Sequence, residues 1–128
     1  MAESKFTFED LKVYQKSLDF VDMAYKTCER FPKEEKYRLS SQFIRAATSI
    51  SLNIAEGSCN TDAQFNRFLQ IARGSVMECV VCSTISQKRG YITIQKEQEF
   101  RSTLTELSKM ITSLQSYLKN KIERKSNH

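Results

Sequence analysis

Apolar residues recur every three or four positions along four stretches of the chain, the period of a helix with one buried face. In the first stretch the stripe is Leu11, Tyr14, Leu18, Val21, Tyr25 and Cys28; in the second it is Leu39, Phe43, Ala47, Ile50 and Ile54. The third places Phe65, Leu69, Ala72, Val76, Cys79 and Ser83 together, and the fourth Phe100, Leu104, Leu107, Ile111, Leu114 and Leu118. These stripes predict helices over about 8–30, 34–56, 62–89 and 93–121.

The boundaries follow from local chemistry. Thr7 with Asp10 reads as a capping box and Phe6 with Leu11 as a hydrophobic staple. Pro32 ends the first helix, because it disfavours a helical Phe31 and has no amide hydrogen. Glu34 and Glu35 suit the positive start of the second helix. Gly57 reads as the left-handed residue just past its end. Thr61 and Gln64 cap the third helix, and Gly90 stops it. The polar tail, Lys119 to His128, is expected to fray from about residue 122.

Each helix has roughly 22–28 residues and spans roughly 33–42 Å at ~1.5 Å per residue. Short connections make successive helices antiparallel neighbours. The predicted fold is all-α, one antiparallel up-down-up-down four-helix bundle filling residues 1–128. The length of 128 residues is that of one domain, and one Pro with three Gly is too few chain breakers for an all-β chain.

Composition narrows the function. No apolar run approaches the ~18 residues of a membrane span, and Met1 to Asp10 does not look like a secretory signal, so the expected location is the cytoplasm and no membrane partner is expected. Four cysteines fit a reducing compartment. The net charge of +5 is uneven: residues 65–128 hold eleven Lys and Arg against five Asp and Glu, while residues 1–64 hold nine against ten. A basic half points toward an anionic partner.

Ordinary catalytic chemistry is missing. The one histidine is His128, and Gly57, Gly74 and Gly90 are isolated, so there is neither a histidine site nor a phosphate loop. No Glu-x-x-His pair exists for a di-iron bundle. Cys79-x-x-Cys82 sits mid-helix beside Val80 and Val81, which suits small core residues better than an activated dithiol. Neither a metal nor a cofactor is expected, and the chain does not read as an enzyme.

The second helix carries a polar stripe beside its apolar one: Arg38, Gln42, Arg45, Ser49, Asn53 and Glu56. The third has Arg67, Gln70, Arg73 and Gly74 in similar spacing. A solvated surface is one reading of this stripe. The other is a helix–helix or subunit contact, because Gly74 costs ~1 kcal/mol relative to Ala inside a helix and close helix approach explains it. Glu56 and Arg67 are expected to pair across the hairpin.

Several motifs run through the same residues. They are Asp10-Leu11-x-Val13-Tyr14, Phe31-Pro32-x-Glu34-Glu35-x-Tyr37, Arg45-Ala46-Ala47-x-Ser49-Ile50, Asn53-Ile54-Ala55-Glu56-Gly57, Arg67-Phe68-Leu69-x-Ile71-Ala72-x-Gly74-Ser75 and Gly90-Tyr91-Ile92. In this order they resemble the bacterial four-helix-bundle proteins encoded in intervening sequences of 23S ribosomal RNA genes, some of which carry the older label of ribosomal protein. The resemblance spans about residues 6–118. It implies an antiparallel bundle and similarity to the accessory variability determinant of diversity-generating retroelements, a ring-shaped homopentamer whose basic surface binds nucleic acid and a reverse transcriptase. Phe43-Ile44 stands where the family often has Leu-Arg, so one basic position is lost.

The leading expectation is a homo-oligomer, a pentamer by this analogy, that binds RNA or DNA. Arg38, Arg45, Lys88, Arg89, Lys119, Lys121, Arg124 and Lys125 are the candidate phosphate contacts. The alternative is a protein-interaction or assembly module with no nucleic-acid role. In that case Gln42, Ser49, Asn53, Glu56, Arg67, Gln70, Arg73 and Gly74 form the contact surface.

Overall fold

A computed structural model describes residues 6–126. Among them are four α-helices and no strand: α1 (Lys12–Cys28), α2 (Leu39–Ser58), α3 (Asp62–Lys88) and α4 (Ile94–Ser126). Two short 3-10 turns, Thr7–Asp10 and Lys33–Glu35, precede α1 and α2.

Neighbouring helices run in opposite directions, as the residue pairs between them show. Ser17 meets Ser51 near the middle of α1 and α2, and Cys28 meets Ser40 at their other end. Ser49 meets Ser75, and Gly57 meets Phe65 and Phe68, across α2 and α3. Thr84 meets Glu97 at the start of α4, whereas Asp62 at the start of α3 meets Lys121 and Lys125 near the end of α4. Lys16 bridges to Glu106 at 2.9 Å and closes α1 against α4.

The core is a column of fully buried side chains, with Phe20, Phe43 and Phe100 at its aromatic centre. Their centroids lie 5.4–6.3 Å apart in tilted and edge-on pairs, the arrangement that ring quadrupoles favour. Ile50, Ile54, Leu69, Val76, Leu104, Leu107 and Ile111 continue the column.

Several sequence expectations need correcting. In α1 the buried face is Val13, Ser17, Phe20, Ala24, Thr27 and Cys28, whereas Leu18 and Tyr25 face water. The stripe passes through Ser17, whose buried hydroxyl donates to the Tyr14 carbonyl at 2.6 Å and lies 2.8 Å from the Ser51 hydroxyl. Before α1, Glu9 reaches back and accepts from the Phe6 amide at 2.8 Å, so a capping box starts at Phe6, one residue earlier than expected. Phe6 stacks on Phe8, centroids 5.9 Å apart.

α2 starts at Leu39 because residues 33–35 form a separate 3-10 turn behind Pro32. Gly57 is inside α2 and buried, not a left-handed cap; the one positive-φ glycine is Gly90, at φ 80°, which ends α3. Thr61 caps α3 through the Gln64 amide, and Thr93 caps α4 through the Lys96 amide. α4 is helical as far as Ser126, past the expected end near residue 121, and Lys121 and Lys125 pair with Asp62. His128 lies outside the described residues.

Candidate functional site

The antiparallel arrangement gathers charge at one end of the bundle, where α1 and α3 finish and α2 and α4 begin. Residues 26–38 and 88–96 together hold eight Lys and Arg against three Glu. Arg30, Lys33, Lys36, Arg38, Lys88 and Arg89 make no ion pair among the described residues, unlike Lys26 with Asp22 and Lys96 with Glu99. All six side chains are exposed.

One carboxylate organises this end. Glu35 accepts a hydrogen bond from the Tyr91 hydroxyl at 2.6 Å and faces the free Leu39 amide at the start of α2, at 3.5 Å. The Tyr91 bond is the main reason its carboxyl is held below the ordinary 4.5; the Leu39 amide and the charges of Arg89 and Arg38 help, against desolvation. Tyr91 also packs on Phe31, centroids 5.1 Å apart. Glu35 therefore ties the 3-10 turn, the start of α2 and the α3–α4 turn into one surface.

The predicted phosphate contacts do not form a single surface. Arg38, Lys88 and Arg89 sit at this end and Arg45 lies along α2 just below it. Lys119, Lys121, Arg124 and Lys125 sit at the other end of the bundle, roughly 40 Å away at the length of α3. Two of these four are already engaged, since Lys121 and Lys125 lie 3.3 and 3.4 Å from Asp62. Burial pushes the Asp62 carboxyl up, but hydrogen bonds and charge from both lysines outweigh it and hold the group below its ordinary value. The charge imbalance between sequence halves concealed this, because the freer basic end draws on both halves.

The second feature is the outer face of α3. Ile71, Met77, Val81 and Ile85 are 41–56% exposed, with Gly74 among them at helical spacing. A groove of about 320 Å3 runs beside them between α2 and α3, lined by Leu39, Gln42, Gly74 and Val81 among others. A bundle helix needs one apolar face, and α3 has a second. This makes an 18-residue window of α3, of mean hydropathy 1.3, apolar enough to cross a membrane, contrary to the reading of the apolar runs; 39% of that window is buried in the bundle. The exposed stripe was legible as a second periodic set, overlooked beside the core set.

The predicted polar contact surface divides. Asn53 donates to the Ser49 carbonyl and hydroxyl at 2.8 and 3.0 Å, and Ser75 donates to the Ser49 hydroxyl at 2.9 Å. These three form an internal α2–α3 contact. Gln70 accepts from the buried Gln115 at 3.2 Å. Glu56 and Arg67 are both exposed and form no ion pair, so the expected hairpin bridge is absent. Arg73 is half-buried. A Cβ added at Gly74 meets nothing within 4 Å, so no close approach inside the bundle explains this glycine. The close approach belongs to Gly57, where a Cβ would stand 2.6 Å from the Phe68 Cβ.

Cys28, Cys79 and Cys82 are buried in the core. Desolvation pushes the Cys28 thiol up to about 11 and raises Cys79 and Cys82 as well. These are protonated packing groups at neutral pH, not nucleophiles. Among the described residues no three of His, Cys, Asp and Glu are grouped to hold a metal.

The model of a family described as 23S rRNA-intervening sequence protein matches residues 9–113. A crystal structure of a protein of unknown function from the S23 ribosomal protein family of Bacteroides thetaiotaomicron VPI-5482 is similar over 80% of this chain and 96% of its own, at 28% identity and a TM-score of 0.74. No curated protein matches the chain.

Proposed function

This chain belongs to the 23S rRNA-intervening sequence protein family, and on that premise we propose that it is a non-enzymatic, homo-oligomeric bundle that binds nucleic acid by phosphate contacts at its basic end. The observation that carries the reading is the set of six exposed cations with no ion-pair partner among the described residues. Exposed cations held at fixed spacing release condensed counterions when they meet a phosphate backbone, which gives affinity without reading bases. The opposite end is the weaker candidate, because Asp62 engages two of its lysines.

Filter binding across a salt series tests this. Affinity is expected to fall as salt rises, by a power law with the number of phosphates engaged. Lys33→Glu with Lys88→Glu should weaken binding to every sequence alike, and Lys119→Glu with Arg124→Glu should leave it nearly unchanged. Absence of binding at low salt, or binding indifferent to salt, would reject the proposal.

Self-association rests on the outer face of α3. An apolar stripe with a glycine in its middle suits the close packing of a second helix. The stripe alone equally supports an assembly module with no nucleic-acid role. Gly74→Leu separates assembly from folding, since a Cβ at this position meets nothing within 4 Å in the single subunit. Light scattering should show a lower mass with unchanged helicity. A wild type that is monomeric at high concentration contradicts the assembly reading.

A further inference from the structure

Between the end of α1 and the start of α2 the chain folds around a groove of about 620 Å3, a size usual for small-ligand sites. Tyr25 and Tyr37 line it beside the buried Phe31, and Lys33, Lys36 and Arg45 add three cations. Glu29 is the one carboxylate among the lining residues. The groove therefore joins two different attractions, exposed aromatic rings and positive charge.

Tyr37 is the unusual member. Its side chain is 84% exposed, which forgoes the large burial that makes aromatic residues useful in a core. The Lys36 ammonium stands 5.5 Å from its ring centroid, a cation–π contact that orients the ring yet leaves most of it in water. Tyr25 is 49% exposed on the neighbouring helix. The structure places these rings outside both the buried core and the Glu35–Tyr91 contact, so neither core packing nor capping accounts for them.

Proteins that hold single strands of nucleic acid without sequence preference pair these same elements. Cations follow the backbone, and aromatic faces stack the bases. A duplex keeps its bases stacked inside and offers such a ring little but phosphate. We infer that this groove takes a single-stranded segment of nucleic acid, with one unpaired base stacked on Tyr37 and flanking phosphates on Lys33, Lys36 and Arg45. The inference rests on the phosphate-binding reading of this end and adds the form of the substrate.

Fluorescence anisotropy on the whole chain can separate the two. The probes are an oligothymidylate, a duplex of the same length, and an abasic strand with the same number of phosphates, all at low salt. The oligothymidylate is expected to bind more tightly than either of the others. Tyr37→Ala should weaken it about 5- to 150-fold, the span of one stacked base, towards the abasic level. Tyr37→Phe should retain affinity, because stacking needs the ring and not the hydroxyl. Lys33→Ala should lower the salt slope, and Tyr37→Ala should not.

Equal affinity for the abasic and base-bearing strands, or a Tyr37→Ala variant that binds like wild type, would overturn the stacking inference while salt-dependent binding keeps the phosphate reading. Failure of all three probes would remove both. A Tyr37→Ala chain with altered mass in light scattering would assign the groove to subunit contact instead.

Discussion

Gly57 and Gly74 lie on adjacent helices and answer to opposite constraints. At Gly57 an added methyl would press on the Phe68 Cβ at 2.6 Å and the Phe65 ring at 2.9 Å. Gly57→Ala is expected to lower stability by about 1–3 kcal/mol in urea unfolding, the usual cost of overpacking, despite the better helix propensity of alanine. Gly74→Ala adds its methyl to open space and should raise the stability of the single subunit by roughly 0.5–1 kcal/mol. If both substitutions destabilise equally, the two glycines are not distinguished by their surroundings. Sequence spacing could not tell these sites apart. A glycine near a helix end reads as a cap, and the aromatic neighbours that decide Gly57 come from the next helix. Ser17 misled in the same way: a serine counts as polar in any periodic pattern, but its hydroxyl is satisfied by the Tyr14 carbonyl and Ser51, so it enters the core at little cost.

At the scale of elements, the four helices were legible because each carries an apolar stripe far longer than a turn. Thr61 and Gly90 marked the ends of α3 correctly through a cap bond and a positive φ. What was not legible is the junction before α2, where a long-range partner decides. Glu35 is tied by Tyr91, a residue from the far side of the chain, and this bond holds the break between the 3-10 turn and Leu39. The carboxyl is held below 4.5, chiefly by the Tyr91 hydroxyl. The stability it contributes is therefore present above about pH 4.5 and is lost as pH falls through its lower folded value. Tyr91→Phe removes the largest cause. The variant should be less stable at neutral pH, decline less steeply below pH 4.5, and converge with wild type in strong acid, as followed by circular dichroism. Parallel curves over that range would mean that the bond does not contribute.

For the molecule as a whole, antiparallel packing turned a charge imbalance along the chain into a difference between two ends. The half-by-half count suggested a basic second half; in three dimensions residues 26–38 and 88–96, one from each half, bring eight Lys and Arg against three Glu to one end. The resemblance in the motifs led to the family, but the placement of the cations and of the bare face of α3 required the fold. A last consequence concerns the four thiols, of which Cys59 alone is exposed, at the end away from Tyr37. Folded protein should consume one equivalent of a maleimide quickly, and denatured protein four. The slow uptake of the remaining three then serves as a clock for opening of the bundle. A single fluorophore at Cys59 would watch ligand arrive from the distant end without touching it.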